Sequence, residues 1–183
     1  MSASFDGFSR ELPRFLRLLA RNNEKAWFDS HRADYDDYYV EAAKDFVAAI
    51  GPALRKGMPG YSVRISQNEL ALLAGIFGFT PTQLARYRNA AGDPRSGKTL
   101  RSCIEKVKSA GGPIEFGGET TKRVPKGFDP DHQNADLLRH KRIHLGSDEQ
   151  LPDPLFDERA VTDCMGRFRV LRPLVQWLGR NVA

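Results

Sequence analysis

Cysteine is nearly absent from this chain: two residues, Cys103 and Cys164, in 183, far apart and without the close spacing of a metal-ligand pair. A disulfide framework is excluded, and a reducing compartment fits best. No apolar run is long enough to span a bilayer, and Met1-Ser2-Ala3-Ser4-Phe5 lacks a charged segment followed by an apolar one. The sequence therefore reads as a cytoplasmic protein with no membrane partner. Repeats and low-complexity tracts are missing too. What is there is ordinary globular material, 40% hydrophobic and 28% charged, with a mean hydropathy of −0.49. That balance excludes wholesale disorder, and the length predicts a single domain over 1–183.

The net charge of +5 is unevenly placed. Residues 1–60 carry nine basic and nine acidic side chains, residues 61–145 fourteen and eight, and residues 146–183 five and six. The excess sits wholly in the middle, where clustered cations would draw phosphate, carboxylate or nucleic acid. A solvated basic face is the plainer alternative.

Leu12, Phe15, Leu16 and Leu19 recur at helical spacing from Glu11 to Arg21. Asn22-Asn23 breaks that helix, and Asn23 is the expected cap of a second, long one. Along it Trp27, His31, Tyr35, Tyr38, Ala42, Phe46 and Ile50 share a face, up to Gly51-Pro52. The period then changes to two: Tyr61, Val63 and Ile65 alternate with Ser62, Arg64 and Ser66, predicting a strand. Gln67-Asn68 turns the chain into a second strand over Leu70–Phe79. Thr80-Pro81 opens a helix to about Ala91, and Leu100, Cys103, Ile104 and Val107 mark another, closed by Gly111-Gly112-Pro113. A short strand at Ile114–Phe116, a loop over 117–134, a short helix near Asn134–Arg139 and a strand at Arg142–Leu145 follow. A linker from Gly146 to Pro154 leads to a last helix carrying Val161, Cys164, Met165, Phe168 and Leu171, which Pro173 should kink or restart. The order predicts an α+β fold, a mostly antiparallel sheet with N- and C-terminal helices packed on it.

Gly92-Asp93-Pro94-Arg95-Ser96-Gly97-Lys98-Thr99 satisfies the phosphate-loop template of Gly, four residues, Gly-Lys and Ser/Thr. Its context does not: a cradle must follow a buried strand, Thr80–Ala91 reads as helix, and Pro94 removes an N–H. An ordinary turn between helices is the better reading. His140 and His144 have the spacing of a helical metal pair, yet no carboxylate or cysteine completes a set, so no metal and no cofactor is expected. His132, in Asp129-Pro130-Asp131-His132, is the candidate for proton transfer, with a neighbouring carboxylate to orient it. Asp-Pro-Asp before a helix is also a common capping arrangement, and that reading is favoured.

The best ligand candidates are the cations of the 117–142 region: Lys122, Arg123, Lys126 and Arg142, with Arg139 and Lys141 beside them and Arg88 nearby. Arginines grip phosphate or carboxylate bidentately. Phe128 is the only aromatic among these loop cations, whereas single-strand binders interleave several aromatics with their charges. The sequence thus points to a small anionic ligand, the protein being a candidate enzyme on a phosphorylated or carboxylated molecule. The alternative is a non-catalytic module whose basic face meets nucleic acid or an acidic protein.

Several blocks together resemble the bacterial family called domain of unknown function 2461. Phe15-Leu16 through Asn22-Asn23, Trp27-Phe28-Asp29 and Tyr35 are similar to its opening. Pro59-Gly60-Tyr61 through Leu84 to Arg88 resembles its strand pair and following helix. Val124-Pro125-Lys126-Gly127-Phe128-Asp129, with His132, Leu137 and Leu138, resembles its basic loop, and Pro173 to Leu178 its ending. The resemblance covers nearly the whole chain and implies no known activity. One departure stands out. Family members carry an arginine-rich segment, with an Arg-Asp-x-Arg-Phe core followed by a lysine and a tyrosine, between the second helix and the strand pair. Here Ala53-Leu54-Arg55-Lys56-Gly57-Met58-Pro59 runs on without it. Either this member lost the segment or the chain is written across a stretch left out of it. Losing a strand would expose an unpaired sheet edge. That favours the second, which predicts a gap well beyond the usual ~3.8 Å between neighbours somewhere from Leu54 to Tyr61.

Overall fold

A computed structural model describes residues 4–54, 60–109, 114–118 and 120–183. The expectation of a gap before Tyr61, and the helix closure at Gly111-Gly112-Pro113, fall outside the described residues. The fold is α+β. Helices α1 (Leu12–Arg21), α2 (Lys25–Ser30), α3 (Arg32–Tyr35) and α4 (Ala42–Leu54) precede strands β1 (Tyr61–Ile65) and β2 (Glu69–Ile76). Then come α5 (Pro81–Gly92), α6 (Pro94–Ser109), β3 (Ile114–Gly117), α7 (Ala135–Leu138), β4 (Ile143–Gln150) and α8 (Ala160–Asn181). The four strands form one antiparallel sheet in the order β1-β2-β4-β3. Ser66 N–H donates to Glu69 O at 2.9 Å and Gly75 N–H to Gly60 O at 2.9 Å, which sets the β1–β2 hairpin. The β3–β4 pair runs from Ile114 opposite Ser147 to Gly117 opposite His144. No helix of the described residues is long and apolar enough to cross a membrane.

The residues gather into two compact units. The first comprises Met1–Lys56, Val63–Ala71 and Asp148–Arg167; the second comprises Gly57–Ser62, Leu72–Ser147 and Phe168–Ala183. Aromatic edges build the first. Phe5, Phe8 and Phe46 meet with ring centroids 5.0–5.4 Å apart. Phe15 of α1 lies against Trp27, Tyr35 and Tyr38, so the aromatic stripe is a packing face. The second unit closes over Leu72, Ala74, Tyr87, Leu100, Leu138, Ile143, Leu145 and Trp177, all at most 1% exposed. Tyr61 of β1 meets Phe168 of α8 edge-on at 4.8 Å.

Local rules succeed at α5. Thr80 caps it, accepting from Gln83 N–H, while the Gln83 side chain accepts from Thr80 N–H, and Pro81 occupies the first turn. They fail along the second helix. It is not continuous from Asn23: Glu24 precedes α2, a turn at His31 separates α2 from α3, and Asp36–Glu41 winds as a π-helix before α4. At that turn His31 N–H is shared between the Trp27 and Phe28 carbonyls at 3.2 and 3.1 Å, while its Nδ1 also hydrogen-bonds the Trp27 carbonyl at 2.9 Å and its ring stacks on Trp27 at 4.0 Å. α4 contains Pro52 and is described as far as Leu54. The second strand stops at Ile76 rather than Phe79. The expected linker from Gly146 is strand as far as Gln150, because β4's backbone continues to pair where its side chains carry no strand signal, and Asp153–Phe156 is a 3₁₀ turn. Nor does Pro173 restart the last helix. α8 runs through it, held by the buried Leu174, Val175 and Trp177 just beyond.

Candidate functional site

Every sequence-predicted site residue belongs to the second unit. Residues after β3 do not leave the sheet as a free loop. Gly118 has a φ of +142°, and a Cβ there would sit 2.0 Å from the Arg142 carbonyl oxygen, so only glycine permits the approach. Thr120 then bridges to His140, and Thr121 N–H donates to Arg139 O at 2.8 Å. Thr121 Oγ1 ties the turn further, donating to the Arg123 carbonyl at 2.7 Å and the Arg139 carbonyl at 3.3 Å. Two cationic stretches, Lys122-Arg123 and Arg139 to Arg142, thereby run side by side as a narrow antiparallel ribbon. Lys122, Arg123 and Arg142 are exposed and Arg139 is half-buried. Among the described residues these four form no ion pair.

Lys126 stands in the next turn, exposed, where Phe128 N–H donates to Pro125 O at 3.2 Å. That turn is anchored by Phe128, whose ring would lie 2.9 Å from a Cβ placed on Gly92. Arg88, one turn earlier on α5, is half-buried. Beside it Tyr87 donates its hydroxyl to the Leu137 carbonyl at 2.8 Å, which docks α5 on α7 just ahead of Arg139. Burial pushes the Tyr87 phenol far above its ordinary range, with the Asp136 charge adding to the rise, so it stays a donor. Among the described residues the Nε atoms of Arg88 and Arg139 are buried and have no hydrogen-bond partner. Buried guanidinium nitrogens ordinarily have one.

His132 is placed by backbone, not by a carboxylate. Its Nδ1 accepts from Asn134 N–H at 3.0 Å and its Nε2 lies 3.1 Å from the Gly92 carbonyl, which requires the neutral tautomer with hydrogen on Nε2. Proton transfer from this ring would need one of those bonds to open. Asp129 Oδ1 accepts from Asp131 N–H at 2.9 Å, a turn-capping bond.

Sequence reasoning missed Arg101. From α6 it donates to Asn134 Oδ1 at 3.1 Å, to Gln133 O at 3.1 Å and to both Asp136 carboxylate oxygens at 2.7 and 3.4 Å. Asn134, 1% exposed, passes the tie on to Ala91 O at 2.9 Å. Burial tends to raise the Asp136 carboxyl, but Arg101 and backbone N–H groups hold it below its usual range. Its negative charge is thus spent on Arg101. His140, 7% exposed, is kept below the ordinary histidine range by burial, with Arg139 and His144 pushing the same way and Asp136 opposing.

The phosphate-loop template does not fold as one. Gly92 ends α5 and Pro94 begins α6, so a helix precedes it, as its context predicts. Asp93 Oδ1 takes the N–H groups of Arg95 and Ser96 at 3.0 and 2.7 Å, occupying the donors a phosphate would use. A depression of about 410 Å³ beside it is lined by Arg95, Thr99 and Arg180 among others. Among the described residues no group of three or more His, Cys, Asp or Glu side chains is arranged to hold a metal.

Fold and site together define an α+β protein with a cation-lined ribbon at one sheet edge. The chain belongs to the DUF2461 family of conserved hypothetical proteins, whose profile matches residues 11–60 and 54–177. The two matched stretches overlap over residues 54–60. No curated protein and no solved structure matches the chain.

Proposed function

We propose that this protein binds a small phosphate- or carboxylate-bearing molecule on the basic ribbon, with Arg123 and Arg142 as principal donors, Lys122 and Lys126 supplying charge, and Arg88 and Arg139 lending guanidinium nitrogens from the buried side. The observation that carries this reading is that, among the described residues, the buried Nε atoms of Arg88 and Arg139 have no hydrogen-bond partner and Lys122, Arg123, Arg139 and Arg142 form no ion pair. The α7 carboxylate that might have neutralised them, Asp136, is held by Arg101. An anion would satisfy both the hydrogen bonds and the charge. If the bound molecule is also transformed, His132 is the candidate for proton transfer, with its bond to Gly92 O or to Asn134 N–H released.

Titration calorimetry with inorganic phosphate, pyrophosphate and citrate tests the reading. Saturable one-site binding is expected, weakened at least tenfold by Arg142→Glu or Arg123→Glu at unchanged melting temperature, since each lost charge-assisted bond is worth roughly 1.5–3 kcal/mol. Binding that survives both reversals, or no saturable binding at all, overturns it. The exposure of Lys122, Arg123, Lys126, Lys141 and Arg142 favours one second reading, a non-catalytic face for nucleic acid or an acidic protein. That reading requires affinity to fall steeply with salt, in proportion to the number of phosphates neutralised.

A further inference from the structure

Phe77, just past the end of β2, is 40% exposed. Its ring stacks on His144 of β4, centroids 5.3 Å apart and planes 27° off parallel. Several glycines border this pair. On β2, Gly75 abuts His144 so closely that a Cβ would fall 2.6 Å from the His144 Cα. On β3, Gly117 stands directly opposite His144 in the register. Gly60, whose carbonyl accepts from Gly75 N–H, would bring a Cβ to 3.9 Å from the Phe77 ring, and Gly78 has nothing within 4 Å of its Cβ position. The histidine and phenylalanine rings thus form a small stacked platform bordered by glycine backbone.

The platform adjoins the basic ribbon. Ile143 and Leu145 are fully buried, so His144, which alternates with them, faces away from the core, and Arg142, in the bend just before β4, is exposed. Two residues of chain separate Arg142 from His144, a reach of at most about 7 Å, comparable with the span from the base to the 5′-phosphate of a nucleotide. We infer that the anion bound on the ribbon is the phosphate of a nucleoside monophosphate or a close relative, its base lying against Phe77 and His144 and its phosphate on Arg142. This rests on the anion-binding reading and specifies its substrate class. A compact patch with one aromatic pair seats one base, which favours a mononucleotide over an extended strand.

The test measures affinities of the intact protein for inorganic phosphate, adenosine, adenosine 5′-monophosphate and a ten-nucleotide single strand, with wild type and Phe77→Leu. Leucine keeps an apolar group but no ring. The exposed position should leave the melting temperature nearly unchanged, and Phe77→Tyr, which retains stacking, serves as the control. The expected result is monophosphate binding at least tenfold tighter than phosphate or adenosine, lost roughly tenfold in Phe77→Leu and restored in Phe77→Tyr, with phosphate binding unmoved. Phosphate binding without any gain from the base, or equal effects of Phe77→Leu on both ligands, overturns the inference and leaves the anion-binding reading standing. If neither phosphate nor the monophosphate binds, both fall. A strand that binds far more tightly than the monophosphate, with steep salt dependence, overturns the inference in favour of nucleic acid.

Discussion

Arg101 on α6 grips Asp136 on α7 with two hydrogen bonds of 2.7 and 3.4 Å while its Nε holds the buried Asn134. One guanidinium so fastens the segment leading into the basic ribbon to the α5–α6 corner. Asp136 is substantially exposed, so the ion pair itself is worth little; the bonds to Asn134 and to the Gln133 carbonyl carry more. Arg101→Ala should cost about 1–2 kcal/mol, read as a lower urea midpoint. Arg101→Lys should recover less than half of that, because an ammonium has no planar fork.

Two helical glycines should respond to alanine with opposite signs. In most helices Gly→Ala stabilises by about 1 kcal/mol. At Gly97 of α6 the new Cβ would lie 2.3 Å from the Ala91 carbonyl oxygen and 2.3 Å from Asn134 Nδ2, on the hydrogen bond that joins them. Gly97→Ala should therefore destabilise by about 2–3 kcal/mol. At Gly166 of α8 nothing lies within 4 Å, and Gly166→Ala should stabilise by about 0.5–1 kcal/mol. Thermal melts of the two variants check both signs. This contrast also explains Gly97 without a phosphate: the residue is small because α5's last turn and Asn134 pass over it.

His140 makes the fold acid-sensitive. Its folded-state pKa lies below the 6.5 of an unhindered histidine, so on acidification the unfolded chain takes up the proton first. Its contribution is complete above the unfolded value, declines as pH falls through about 6.5, and stops declining below the folded value. Urea midpoints between pH 7.5 and 5 should drop for wild type and drop less for His140→Gln. An unchanged slope in that variant would assign the sensitivity elsewhere.

Much of this was legible because it is local. The alternation of Tyr61, Val63 and Ile65 announces β1, and Thr80-Pro81 marks the start of α5, since a cap and a first-turn proline act within four residues. Asp93-Pro94 was harder. Its residues satisfy a phosphate-binding template, and only the helix before it and the Asp93 carboxylate over its N–H groups show a capped helix start. The break at His31 was invisible: the stripe from Trp27 to Ile50 keeps a helical period through the π-helix, whose wider turn shifts the phase without removing aromatics from the packed face.

The chain's own residues determined most of the elements, their order, the charge excess between 61 and 145 and the family, because each rests on spacing or composition within a few residues. Tertiary structure decided what meets what. Thr121 pairs with Arg139, Phe77 stacks on His144, and Arg101 finds Asp136, each joining segments set far apart along the chain. Such partners are selected by burial of the sheet and helix faces and by backbone registers that glycines 75 and 118 allow, and those quantities exist only once the segments are packed.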